Sequence, residues 1–421
     1  MVSLVSLAIP FFFLLIGVEL LASRLMKRRV YRLNDSIDDL NCGTISQLRG
    51  IFTKVITFGA YLLCFAFGRE TLGLPELGAD RWYTWVLALL GVDFAYYWFH
   101  RWSHEVNFLW AAHVVHHQSE EYNLAVALRQ SAIQGMFSFF VYLPLALVGV
   151  PPALYVLSKE INLIYQFWIH TRLIKRMGPF GWVFNTPSHH RVHHGADPKY
   201  LDRNYAGVLI IWDRMFGTFL AEEEEPTYGT TKPLARWNPL WANFDYWAQL
   251  VRQARTMDRT RDKLWLFFAH PGWRPEQPEP NPPEVRGRAL FDADTSPARK
   301  AYLFAQYLGM LVVTVGLLFG GEHLDLAANI MLSVWITASA VAIGVGFENR
   351  PSFAWLEATR LLLLPAMAAA ILVPMLSWGP TAMAAVGAAA GFALLSLLPL
   401  AVGWLSAPAI ASEAPDPSAA E

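Results

Sequence analysis

The sequence predicts an all-α fold: a polytopic helical membrane bundle with a cytoplasmic cap enclosing a histidine-rich di-metal site. Three observations predict it. Hydrophobic residues make up 54% of the 421 positions and charged residues only 16%, a balance typical of integral membrane proteins. Apolar runs close to the ~20 residues needed to cross a bilayer recur along the chain. Ten of the twelve histidines fall between positions 100 and 194.

The run over 4–25 is too long for a signal-peptide core and lacks a small-residue cleavage site, so it reads as a retained anchor. Further runs lie at 51–68 and 82–99. A pair follows at 132–149 and 152–170, hinged at Pro151 and Pro152, which either crosses twice or enters as a hairpin. Four more occupy 301–320, 327–346, 361–378 and 381–404, giving nine in all. The domain reading is N-terminal spans over 1–80, a catalytic core over 81–220, a cap segment over 221–300, C-terminal spans over 301–405 and a disordered tail over 406–421.

Positive charge orients the bundle. Lys27, Arg28, Arg29 and Arg32 follow the first run and place that end in the cytoplasm. Counting runs then puts His100, His104 and His170 on the same side, together with Arg350 and Arg360. The polar stretch from 171 to 300 is therefore cytoplasmic. Within it Phe244, Trp247, Ala248, Val251 and Ala254 repeat at helical spacing, opposite Arg252 and Arg255. Such a helix lies either on the membrane surface or against the protein's own cap. "AEEEEP" at 221–226 reads as a solvated turn, and "RPEQPEPNPPE" at 274–284 as an extended proline-rich loop. The formal charge of −1 gives no reason to expect nucleic acid as a partner. Two cysteines, Cys42 and Cys64, make neither a disulfide framework nor a thiolate metal site.

The histidines form three groups: His100 with His104; His113, His116 and His117; and His190, His193 and His194. Side chains three or four apart share one helix face, about 5–6 Å between Cβ atoms, so two imidazoles so placed reach one ion. In H-x-x-H-H the adjacent pair diverges by about 100° around the helix, and one of the two reaches a second ion. These eight side chains would supply about four ligands to each of two ions, with His170 and His189 as further candidates. Ordinary helix-end histidines are the alternative, and three repeats of a chelating spacing argue against it.

Polar groups share those faces. Asp93, Tyr97, His100 and His104 form one stripe, and Asn162, Gln166 and His170 another. Asp93 lies inside an apolar run, where a carboxylate is costly and usually functional; orienting a ligand imidazole is the expected role, with a buried helix–helix hydrogen bond as the alternative. Glu105 directly follows a candidate ligand, whereas Glu120 and Glu121 read as surface carboxylates.

All-imidazole ligation suits Zn, Cu, Fe or Ni. A zinc-dependent lipid hydrolase would more often show H-E-x-x-H with its general-base carboxylate, and that motif is absent. A metal-binding transporter would more often carry its site at the bilayer midplane. Two redox ions beside lipid suit oxygen activation against an unreactive C–H bond.

The boxes "HRWSH", "HVVHH" and "HRVHH" resemble those of the fatty acid hydroxylase superfamily, which includes sterol desaturases. The flanking "AAHVVHHQSEEYNLAVALRQS", "SHHRVHHGADPKYLDRNYAGVLIIWDRMFGTF" and "ARWNPLWAN" are similar to its ether-lipid-cleaving, tetrahydrobiopterin-dependent branch. The resemblance covers about 80–275. It implies a membrane di-iron monooxygenase that takes a lipid from the bilayer, O2 and an electron donor, either tetrahydrobiopterin or a redox protein. Hydroxylation beside the ether oxygen of an alkylglycerol is the activity it implies, with a sterol, fatty acid or carotenoid as the alternative substrate. It further implies two iron ions held by His100, His104, His113, His116, His117, His190, His193 and His194, with His170 and His189 where additional ligands stand. Glu105 also matches that branch.

Overall fold

The computed structural model describes residues 4–277, 279, 281–403 and 405; the tail expected at 406–421 lies outside them. Among the described residues the chain is helical, and its only extended pairings are two isolated bridges, Phe184 with Leu209 and Gly195 with Tyr228. The chain divides into two compact units, one ending at Phe291 and one beginning at Asp292.

In the first unit α1 (Leu4–Leu25) is followed by α2 (Leu33–Ala66), which closes in a π-helical turn, Phe67–Thr71, and by α3 (Trp82–Glu105). Helix α4 (Asn107–His113) tightens into a 3-10 turn, Val114–His117. Two short helices, α5 (Gly135–Ser138) and α6 (Leu143–Leu147), precede α7 (Pro152–Trp168). Six short helices follow: α8 (Phe180–Val183), α9 (Pro187–His193), α10 (Ile211–Met215), α11 (Pro239–Ala242), α12 (Asp245–Thr256) and α13 (Thr260–Trp265). Proline opens α7, α9 and α11, where its missing N–H costs nothing and its fixed φ suits the first turn.

Among the described residues six helices are long and apolar enough to cross a membrane, including α1 and the α2 helix with its π turn. This revises the nine-run expectation in four places. The second run does not start at 51: its helix begins at Leu33, because Asn34, Asp35, Asp38, Asp39 and Asn41 are buried, and partners elsewhere in the unit take up the charge. The 82–99 run is one helix, but Tyr96, Tyr97 and Asp93 replace aliphatic side chains and it is not among the six. The 132–149 run is no single span. It breaks into α5, a 3-10 turn at Phe139–Tyr142, and α6, and ends in a turn at Gly149 whose φ of 97° excludes continued helix. Helix α7 is 17 residues long.

These pieces pack on one another through apolar faces. Tyr61 of α2, Val92 of α3, Ala146 of α6 and Leu154 and Tyr155 of α7 share one core. Tyr61 stacks on Tyr155 at 4.0 Å and donates its hydroxyl to the Val150 carbonyl at 2.9 Å. Phe12 of α1 stacks on Phe167 of α7 at 4.3 Å. The amphipathic helix expected near 244–254 is α12, and it packs on its own unit: Trp247, Leu250 and Ala254 meet Ala111 and Leu266, while Phe244 and Val251 stay exposed.

The second unit holds the remaining four long apolar helices, α14 (Pro297–Gly320), α15 (Leu326–Phe347), α16 (Phe353–Leu376) and α17 (Pro380–Ala401). Ser296 and Asp325 cap the first two by accepting from Arg299 N and Ala328 N. A buried Glu357–Arg360 pair ties three of them together, with Tyr302 and Gln306 of α14 bonded to both the pair and Ser396 of α17.

Candidate metal centre

The ends of α3 and α7, the α4 turn and α9 converge on one point. His100, His104, His113, His117 and His193 form one group, and His116, His170, His190 and His194 a second. Within each group the candidate ligand nitrogens lie within 4.8 Å of one another, and none of the nine residues is more than 7% exposed. The i, i+4 partners stay together, His113 with His117 and His190 with His194. His116 and His193, each adjacent to one member of such a pair, cross to the other group. The division is therefore five and four rather than four and four, because His170, at the end of α7, completes the second group.

Tautomers follow from what each ring touches. His100 Nδ1 donates to the Tyr205 carbonyl (2.7 Å), His116 Nδ1 to the Arg129 carbonyl (2.9 Å), His170 Nδ1 to the Gln166 carbonyl (2.7 Å) and His193 Nδ1 to the Arg203 carbonyl (3.0 Å). His113 Nδ1 donates to Gln134 Oε1 at 2.9 Å. A carbonyl oxygen only accepts, so these Nδ1 atoms carry the proton and the Nε2 atoms are bare. Yet the Nε2 atoms of His100 and His113 are 3.1 Å apart, and those of His116 and His170 are 3.2 Å apart. Two bare nitrogens cannot hydrogen bond to each other. His104, His193 and His194 add buried Nε2 atoms with no partner. Burial pushes the His113 imidazole down to about 4 and the His193 imidazole to about 3, so both are neutral at pH 7. Converging neutral lone pairs without donors are what a pair of soft or borderline cations requires, and the donor set fits iron.

The surroundings hold these rings in place. Asp93 accepts from Asn162 Nδ2 (2.7 Å), Val208 N (2.8 Å), Leu209 N (3.0 Å) and Trp212 Nε1 (2.9 Å). No imidazole is among its partners; it ties α3 to α7 and to the 207–212 loop, which corrects the expectation that it orients a ligand directly. Gly207 lets that loop close in, since a Cβ there would stand 3.0 Å from Asp93 Oδ1 and 2.9 Å from Tyr96. Glu105 pairs with Arg101 at 2.9 Å and is a third exposed, beside the first group rather than in it. His189 belongs to neither group. It sits one turn before His193, about 6 Å along the helix, and its ring packs edge-on to Phe219.

Several supports were not singled out in the sequence. Asp213 accepts from Tyr205 N and Ala206 N, both at 2.8 Å, and from Thr218 Oγ1 at 2.6 Å, which fixes the turn that offers the Tyr205 carbonyl to His100. Arg129 donates to the Val115 carbonyl at 2.6 Å and pairs with Asp38 (2.7 Å) and Asp39 (3.1 Å), locking the second box to α2. Arg191, inside the third box, makes a two-pronged contact with Glu222 at 2.6 and 2.7 Å, so the acidic run at 221–226 is partly a clamp and not simply a solvated turn. Glu120 and Glu121 are buried among Arg32, Arg172 and Arg288, not surface carboxylates. The detectable signals were the arginine between the paired histidines and the charge density of the flanking segments.

The fatty acid hydroxylase family model matches residues 85–218, the segment that carries all nine converging histidines. Alkylglycerol monooxygenase of Xenopus tropicalis is 39% identical over 365 residues, 85% of this chain and 80% of that protein. The Homo sapiens alkylglycerol monooxygenase is likewise 39% identical, over 85% of this chain and 81% of its own length. The chain belongs to the alkylglycerol monooxygenase family. An ornithine lipid hydroxylase of Rhizobium tropici is 31% identical over 144 residues, 33% of this chain and 44% of that protein. No solved structure matches the chain. The protein is thus a multi-pass membrane lipid monooxygenase of the fatty acid hydroxylase superfamily.

Proposed function

We propose that the protein is an O2-dependent di-iron monooxygenase that hydroxylates the carbon beside the ether oxygen of an alkylglycerol. The observation that carries this reading is the paired set of five and four neutral imidazoles whose bare nitrogens face each other. His100, His104, His113, His117 and His193 would hold one iron, and His116, His170, His190 and His194 the other. Iron bound there would supply the electron transfers by which O2 is reduced. The relatives of 39% identity that carry the name alkylglycerol monooxygenase support the choice of an ether lipid.

The protein's own contribution is positional. Carbonyl oxygens of residues 129, 166, 203 and 205 and the Gln134 amide keep the nitrogens aimed inward, and burial keeps them unprotonated. The same burial excludes bulk water. One oxygen atom enters the C–H bond and the other leaves as water, with two electrons and two protons from a tetrahydropterin or redox-protein donor. The resulting hemiacetal opens to a long-chain aldehyde and glycerol. The positive cluster at Lys27, Arg28, Arg29 and Arg32, just after α1, supports a cytoplasmic face for the site. The test is aldehyde release from a 1-O-alkylglycerol by the purified protein, with and without tetrahydropterin, under air and under nitrogen. Equal release under nitrogen would overturn the oxygenase chemistry; hydroxylated sterol or fatty acid with no aldehyde would overturn the ether substrate.

A further inference from the structure

Helices α12 and α13 form an elbow with an apolar outer face and basic edges. Trp247, Leu250 and Ala254 face inward. Phe244, at the N-cap of α12, and Val251, seven positions on, are exposed on the other side. In α13 and the turn after it Leu264, Trp265 and Phe268 are 63, 53 and 65% exposed. That turn stays helical, with Ala269 N bonded to the Trp265 carbonyl at 2.8 Å, so Leu264 and Phe268 share a face. Three large apolar side chains exposed together differ from the single ones scattered over any surface in water, and mark a contact site. Five cations flank them, Arg252, Arg255, Arg259, Arg261 and Lys263, against two carboxylates, Asp258 and Asp262. The four arginines are exposed.

Backbone bonds fix where the elbow sits. Asn107 N donates to the Ala269 carbonyl at 2.9 Å and Phe108 N to the Phe267 carbonyl at 2.8 Å, two and three residues past the end of α3. Helix α3 exposes Leu87, Leu90 and Phe94 along its length and Trp102 near its end. The Phe108 ring also bridges Trp247 of α12, at 5.0 Å, to Phe137 of α5, at 4.9 Å, and Met136 beside it is exposed. The elbow therefore adjoins two apolar, outward-facing segments of a multi-pass membrane protein. At that level leucine, tryptophan and phenylalanine meet the acyl boundary, and cations at the edge meet headgroup phosphates. We propose that the α12–α13 elbow docks on the headgroup layer of the bilayer that α1 and α2 cross, with Leu264, Trp265 and Phe268 at the acyl boundary and the five cations selecting anionic lipid. One helix, α4, stands between the elbow and the ligands. The Tyr246 hydroxyl donates to Asn107 Oδ1 at 2.7 Å, Leu250 meets Ala111, and α4 ends in His113. Docking thus braces the α4 side of the metal centre against the membrane.

The experiment uses the full-length protein in nanodiscs, with a bimane fluorophore attached at Phe268→Cys or, separately, at Val251→Cys. Label on the native cysteines is measured on the unsubstituted protein and subtracted. Phosphatidylcholine or phosphatidylglycerol carrying a nitroxide near the top of its acyl chain is included at equal mole fraction, and iodide serves as the quencher from water. Nitroxide lipid is expected to quench both labels more strongly than iodide does. The phosphatidylglycerol nitroxide should be about 5-fold enriched over phosphatidylcholine around the labels at low salt, the ratio one engaged cation supports. That ratio should fall toward one at high salt, where the cations are screened, and in the double variant Arg255→Gln, Arg259→Gln. The two labels stand on different sides of the elbow, so either carries the test if the other variant fails to elute as a single species. Quenching by iodide but not by lipid would place the elbow in water and overturn the proposal. Quenching by neither would mean that a second copy or the protein's own helices cover the face, which also overturns it. Equal quenching by the two lipids at low salt overturns the assignment of anionic lipid as the partner.

Discussion

Gln134 offers a sharp test of how the metal centre is held. Four of the five ligand-orienting acceptors are backbone carbonyls, which substitution cannot remove; the Gln134 amide, 2.9 Å from His113 Nδ1, is the side chain among them. Gln134→Leu deletes the acceptor and leaves an apolar side chain one atom shorter. A neutral hydrogen bond contributes about 1 kcal/mol net, and the freed imidazole also regains rotation and its other tautomer. Removal of such outer partners typically costs about 10–100-fold in metal affinity or activity. The loss should be confined to the five-histidine group that contains His113. In a chelator titration followed by metal analysis, the variant should therefore release one equivalent at about 10–100-fold lower chelator concentration and retain the other. Gln134→Glu, which restores an acceptor, should recover the wild-type curve. Superimposable curves for wild type and Gln134→Leu would refute the argument that the Nδ1 acceptors set ligand geometry.

Other outcomes follow from the same geometry. His116→Ala should abolish turnover while membrane insertion, read by fractionation, is unchanged, because the apolar helices do not depend on that ring. His189→Ala should leave the metal stoichiometry at its wild-type value, since His189 stands outside both groups; loss of an equivalent would show that it ligates. Arg129→Met removes the guanidinium that pairs with the buried Asp38 and Asp39 and should cost about 3–5 kcal/mol, read as a fall in Tm of the metal-free protein. Metal-free protein should also lose stability in acid. His113 and His193 titrate near 4 and 3 when folded and from 6.5 when unfolded, so stability is full above about 6.5 and declines as pH falls toward about 4. A Tm unchanged between pH 7 and pH 5 would contradict their burial as neutral rings.

The chelating residues were legible because a helix imposes its period on neighbours in sequence. His113 with His117 and His190 with His194 share an ion for the same reason that any i, i+4 pair shares a face. The stripes of α3 and α7 were legible on the same ground: Asp93, Tyr97, His100 and His104 are all buried, as are Asn162, Gln166 and His170. Apolar runs announced the long helices. They did not announce that α2 begins at Leu33, because its acidic first turns are paired with Arg129 and hydrogen bonded by Ser119 from 80 or more positions away. Nor did apolarity distinguish a span from the broken α5–α6 segment, where turns and a left-handed glycine interrupt a run of equal hydrophobicity. The five-and-four division was a matter for the tertiary fold alone, since it depends on where the end of α7 delivers His170. The Nδ1 acceptors were equally hidden: every residue carries a carbonyl, and only the folded path of the chain brings those of residues 129, 203 and 205 to the imidazoles.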